Sequence, residues 1–95
     1  MKDKILVNQY FQLARQLEKT YPETDFRDHC YWRIALDNIL KEKWDIAIKR
    51  PAYKHLSTAQ LTQVVEKLKS YLENKQRLLI DNQRSLNYRR IREVL

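Results

Sequence analysis

The sequence predicts an all-α domain: a small bundle of four helices, or five elements if residues 44–55 form a turn of their own, around a buried second helix. Three observations carry this. The 95 residues include no glycine and only two prolines, so hairpin turns lose their preferred residue and short links between helices are favoured. The run from Asp25 to Trp44, DFRDHCYWRIALDNILKEKW, is apolar almost all the way round at helical spacing, which marks a central helix. Its polar remainder falls on one line, His29, Arg33 and Asp37 at i, i+4 and i+8. Elsewhere, stripes at three- and four-residue spacing give the outer helices one apolar side each.

The first helix spans about residues 3–21, where Leu6, Tyr10, Leu13, Leu17 and Tyr21 form a stripe widened by Val7 and Ala14. Pro22 ends it, because the residue before a proline is pushed out of the α region. Thr24 or Asp25 is expected to cap the second helix, which runs to about residue 43. In it Cys30, Ile34 and Ala35 face one apolar side and Trp32, Leu36, Ile39 and Leu40 the other. Residues 44–53, WDIAIKRPAY, read as a helical turn broken at Pro51 or as an irregular segment laying Trp44, Ile46 and Ile48 on the core. With no partner strand in sight, a strand is rejected there.

Ser57 opens a capping box, with Gln60 three residues on. The helix that follows has the cleanest stripe, Leu61, Val64, Val65, Leu68, Tyr71 and Leu72. It ends near Asn74, which either takes a left-handed cap or starts the next helix. The last helix, about residues 75–94, scatters Leu78, Leu79, Leu86, Ile91 and Val94 around its wheel, so its packing is weakly specified and fraying is expected from about residue 85.

One domain follows from the length. No run approaches the ~20 apolar residues of a membrane span. Charged residues at Lys2, Asp3 and Lys4, with no apolar block behind them, and a lone Cys30 point to a cytoplasmic protein. Absence of glycine excludes phosphate-cradling loops of the P-loop and dinucleotide-binding kinds. No cofactor is expected. A metal site is not expected either, since His29, Cys30 and His55 have no recognisable ligand spacing.

Charge is distributed unevenly. Residues 1–48 hold eight basic and eight acidic side chains, whereas residues 49–95 hold eleven basic against four acidic and so carry the whole net charge of +7. A basic face of Lys49, Arg50, Lys54, Arg84, Arg89 and Arg90 could meet a protein, an acidic surface or nucleic acid without sequence preference. The plain alternative is a solubilising surface.

Arg33 with His29 in a partly apolar seam could bind an anion or a partner's carboxylate, with Asp37 orienting the guanidinium. The competing structural reading pairs Arg33 with Asp37 to close the seam and lets His29 donate to a backbone carbonyl. Cys30 and His29 point ~100° apart, so they cannot easily act as a nucleophile and base, and a buried, inert thiol is expected. The aromatic set Phe26, Tyr31, Trp32, Trp44 and Tyr53 lies mostly at core-facing positions, which favours packing over base stacking.

The stretches TDFRDHCYWRIALDN and KRPAYKHLS resemble a family of short, uncharacterised bacterial helical proteins built around a segment of the form H-C-[aromatic]-x-R-I-A-x-D. The likeness covers about residues 21–89. Some members carry an acetyltransferase label, so the resemblance implies a transferase. The residues themselves point first to a small helical binding or adaptor domain without catalysis of its own and next to a nucleic-acid-associated protein; the transferase is the further alternative that the resemblance implies. A protein partner, an acidic surface or a homodimer through the last helix are the expected associations.

Overall fold

Asp3 opens the first helix: its Oδ1 accepts from the Ile5 N–H at 2.8 Å, occupying one of the donors a helix start leaves unpaired. The computed structural model describes residues 3–94, with side chains to Arg90; the side chains of Ile91 and Val94 lie outside the described residues. Helix α1 (Lys4–Thr20) buries Tyr10, Leu13, Ala14 and Leu17, with Leu6, Val7 and Tyr21 half-buried alongside. The chain then makes a 3-10 turn over Pro22–Thr24.

Helix α2 (Asp28–Leu40) is shorter at both ends than the apolar run predicts. Thr24 does not cap it, because its hydroxyl closes the preceding turn. Thr24 Oγ1 donates to the Tyr21 carbonyl at 2.8 Å and accepts from the Phe26 N–H at 3.2 Å. Asp25 does not cap it either, since it is left-handed at φ 60°. At the far end Lys41 takes the same conformation at φ 59° and stops the helix. In a chain without glycine, the two left-handed positions among the described residues fall on aspartate and lysine, where a Cβ makes the conformation unfavourable by about 1 kcal/mol each.

Residues 44–55 form two single turns, α3 (Trp44–Ala47) and α4 (Ala52–His55), the second preceded by an extended Pro51. Trp44 and Ile48 pack on the core as their spacing predicts, but Ile46 is 43% exposed. Helix α5 (Thr58–Glu73) starts on the complete capping box: the Gln60 N–H donates to Ser57 Oγ at 3.1 Å and the Ser57 N–H to Gln60 Oε1 at 2.9 Å. Its buried stripe is Leu61, Val64, Val65, Leu68 and Tyr71. Asn74 is extended, and its Oδ1 accepts from the Arg77 N–H at 3.1 Å, so it starts helix α6 (Lys75–Val94) rather than taking a left-handed cap. That helix continues through residue 85, where fraying is expected, because Ser85 and Arg89 are bonded to α2.

Helix α2 packs against α1, α3, α5 and α6, and α5 packs against α1 and α6. Tyr31, Ile34, Ala35 and Leu36 of α2 are accordingly buried. Trp32 is only half-buried; it stacks on Tyr10 with ring centroids 4.9 Å apart and donates from Nε1 to the Tyr10 carbonyl at 2.9 Å. Phe11 meets both Trp32 and Tyr53 edge-on, which ties α1, α2 and α4 together through aromatic contact. The architecture is all-α, with four long helices and no strand among the described residues. No described helix is long and apolar enough to cross a membrane.

Candidate functional site

The polar line on α2 divides into residues with different surroundings. His29 stands 74% exposed at the start of the helix, with Nδ1 3.6 Å from Asp28 Oδ1. It donates to no backbone carbonyl and takes no part in a closed seam. Asp37, two turns further along the same line, is fully buried. Its Oδ2 accepts from Arg89 Nε at 2.8 Å and from Ser85 Oγ at 2.6 Å, while its Oδ1 accepts from the Trp44 N–H at 3.0 Å and from Arg89 Nη2 at 3.3 Å. A buried carboxylate is tolerable with a cation and this many donors.

Arg33 lies between the two and does not bond to Asp37, which corrects the expected i, i+4 pair. Its Nη1 donates to Ser85 Oγ at 2.7 Å and its Nη2 to Asn82 Oδ1 at 2.9 Å, both on α6. The Ser85 hydroxyl accepts from Arg33 and donates to Asp37, so the serine couples the two charges. Burial, and after it the nearby Arg89 charge, hold the Arg33 guanidinium below its ordinary pKa. The seam is therefore not an open groove: α6 lies over it. Cys30, one turn before Ile34, is half-buried rather than enclosed.

A second polar cluster has no forerunner in the sequence reading. Asp81 of α6 is fully buried, and its Oδ2 accepts from Tyr71 Oη at 2.6 Å and Lys67 Nζ at 2.9 Å. Burial, followed by the bond to this carboxylate, raises the Tyr71 hydroxyl far above its usual range. Asp81 Oδ1 accepts no hydrogen bond from the described residues, and Arg84 Nη1 stands 3.9 Å from it. Asn38 ties α2 to α6 beside this cluster, donating from Nδ2 to the Asp81 backbone carbonyl at 2.8 Å and to the Ile34 carbonyl of its own helix at 2.7 Å. Leu78, Asp81, Ser85 and Arg89 fall at i, i+3, i+7 and i+11, a core stripe carried mostly by polar residues. That period was available in the sequence, but a search for apolar repeats passes over it.

Basic residues do not act as one set. Arg89 is turned inward onto Asp37. Arg50 donates to Asp45 Oδ2 at 2.7 Å and lies 5.0 Å from the Trp44 ring centre. For Asp45, burial raises the pKa, but the Arg50 bond and the Lys43 charge more than offset it and the net direction is down. Lys49, Lys54, Arg84 and Arg90 remain on the surface. Among the described residues no three of His, Cys, Asp and Glu come together as a metal site.

Large apolar side chains meet solvent together on the outward side of α6, and singly at Ile5 and Ile46. Leu79 is 46% exposed, Ile80 42% and Leu86 42%. Lys75, Gln76, Leu79, Ile80 and Gln83 line a shallow groove of about 580 Å³ there. A second groove of about 400 Å³, between α2, α5 and the start of α6, is lined by Ile39, Glu66, Lys67, Ser70 and Arg77. No family model, curated protein or solved structure matches the chain.

Proposed function

We propose that this protein is a non-catalytic binding module, a four-helix bundle around α2 that presents the outward side of α6 to a protein partner. The observation that carries the reading is the contrast between the two sides of α6. Inward, Asp81, Ser85 and Arg89 are consumed by bonds to α2 and α5, and Arg33 and Asp37 of the original seam are consumed with them. Charged groups engaged in this way hold a helix in place and are not free to receive a ligand. Outward, three large apolar side chains stand in solvent on a helix fixed in position, the usual arrangement of a helix-docking surface.

The nucleic-acid reading rests on the surface cations Lys49, Lys54, Arg84 and Arg90 after Arg89 is withdrawn from the set. It leaves the exposed leucines without a role. Acetyl transfer, implied by the family resemblance, has no observation of this structure in its favour.

The test is a photo-crosslinking residue placed at Gln83 on α6 and, as a control, at Gln12 on the exposed side of α1, in protein made in its own cells. A single protein adduct at Gln83 that Leu79→Asp abolishes, with none at Gln12, is the expected result. Adducts to nucleic acid, or equal adducts at both positions, would overturn the reading.

A further inference from the structure

We infer that α6 is a strap that releases from the bundle as one unit, uncovering Arg33, Asp37 and Lys67 while α1, α2 and α5 stay assembled. This concerns the inward side of α6 and does not depend on the partner reading above. What holds α6 differs in kind from what holds the other long helices. Helices α1, α2 and α5 each bury four or five apolar side chains in the core. Between residues 75 and 90, α6 buries Leu78 alone, and none of the half-buried apolar side chains packed against that core belongs to it. The rest of its inward stripe is Asp81, Ser85 and Arg89. Ser85 and Arg89 bond to Asp37, Ser85 also to Arg33, and Asp81 to Lys67 and Tyr71. Asn82 Oδ1 and the Asp81 backbone carbonyl accept from Arg33 and Asn38 of α2.

Polar bonds and apolar packing respond differently to release. An apolar side chain pulled from a core meets water unfavourably. Asp37, Asp81, Arg33, Lys67 and Arg89 instead gave up hydration to be enclosed and recover it on release, so their pairing offsets only part of that loss. An element with few buried apolar contacts belongs to the low-stability end of a fold. Both polar clusters lie on one stripe of one helix, so α6 leaves or stays whole. Its join to the bundle is short: Asn74 alone separates α5 from α6, extended at φ −146° and ψ 97°. Rotation there swings α6 without unwinding α5. A freed helix of 20 residues is marginal in water, so its amides open to solvent once it leaves. In the closed state α6 is itself the occupant of the polar seam on α2, and in the released state Arg33 and Asp37 face an outside ligand.

Native-state hydrogen exchange of the full chain, read amide by amide, tests this. Residues 79–90 are expected to share one opening constant and to exchange at least about tenfold faster than the slowest amides of α1 and α5. Leu13→Ala, in α1, weakens the core in the closed and the released state alike. It should speed the slowest α1 and α5 amides about 30-fold or more and leave residues 79–90 unchanged within about twofold. Leu13→Val makes the same comparison at a smaller penalty. Ser85→Ala removes the hydroxyl between Arg33 and Asp37 and should speed residues 79–90 about tenfold. If α6 amides are as slow as those of α5, or quicken in step with them in either Leu13 variant, α6 leaves only when the whole fold unfolds and the inference is overturned. Exchange that slows steadily from residue 90 back to 79 would mean fraying from one end, which also overturns it. So would unchanged α6 exchange in Ser85→Ala, since polar bonds would then not be what holds the strap.

Discussion

Arg89 Nε donates to Asp37 Oδ2 at 2.8 Å across 52 positions of sequence, joining the last turns of α6 to the buried side of α2. Removing one member leaves the other charge buried without its partner, which costs about 3–5 kcal/mol for an enclosed pair. Asp37→Ala is therefore expected to destabilise the fold by about that amount, the upper end following from the Ser85 and Trp44 donors stranded with it. Arg89→Ala leaves the fully buried Asp37 without its cation, held only by Ser85 and the Trp44 amide, and should cost a similar amount, about 3–5 kcal/mol. The double variant should fall well short of the sum, and urea unfolding of the four proteins in a thermodynamic cycle checks it.

Neighbouring leucines on α6 provide a direct contrast. Leu78 is fully buried and Leu79 is 46% exposed. Leu78→Ala should lower stability by about 2–5 kcal/mol and Leu79→Ala by no more than about 0.5 kcal/mol. Equal losses in denaturant unfolding would mean that α6 is rotated from the orientation described.

Ile34→Ala tests the central place of α2. Its side chain is fully buried, and truncation should cost about 2–4 kcal/mol. A loss under about 0.5 kcal/mol would remove α2 from the middle of the fold.

Where bonding is local or the stripe is apolar, the sequence was readable. Ser57 and Gln60 are three residues apart and their box forms as written. The α5 stripe and Ile34 are buried because apolar period and burial coincide. The ends of α2 were not readable, since nothing local tells that the Thr24 hydroxyl will serve the turn behind it rather than the helix ahead. The candidate site was half legible. Arg33 and Asp37 were singled out correctly as residues needing partners, but those partners, Asn82, Ser85 and Arg89, are some fifty positions away. Their inward orientation is set by packing of α6 on α2, and a stripe made of Asp81, Ser85 and Arg89 reads as surface by composition alone.

Alkaline pH should unfold the protein through its buried phenols. Burial raises Tyr10 and Tyr71 well above the ordinary 10.0, Tyr71 also through its bond to Asp81. A raised folded-state value means that the stabilising contribution is complete below pH 10.0, where both states hold the proton. Above that pH the unfolded chain loses protons that the folded chain keeps, and each tyrosine lowers stability by about 1.4 kcal/mol per pH unit. Phenolate absorbance of these two residues should therefore appear only together with loss of helical circular dichroism. Tyr71→Phe should soften the alkaline slope, although it also strips Asp81 of a donor and lowers stability at neutral pH.

Arg33→Ala separates a structural arginine from a ligand-binding one. The variant frees Asn82 and one side of Ser85, but Asp37 retains Arg89, Ser85 and the Trp44 amide. The expected loss is about 1–3 kcal/mol, smaller than for Asp37→Ala, because the Asp37–Arg89 pair stays intact and neither charge loses its partner. Burial and the nearby Arg89 charge already disfavour the charged guanidinium, which reduces the loss further. His29→Ala, at a residue 74% exposed, should change stability by no more than about 0.5 kcal/mol. If both variants unfold like wild type yet weaken the crosslink at Gln83, the seam reaches the partner surface and α6 is not the sole route of contact.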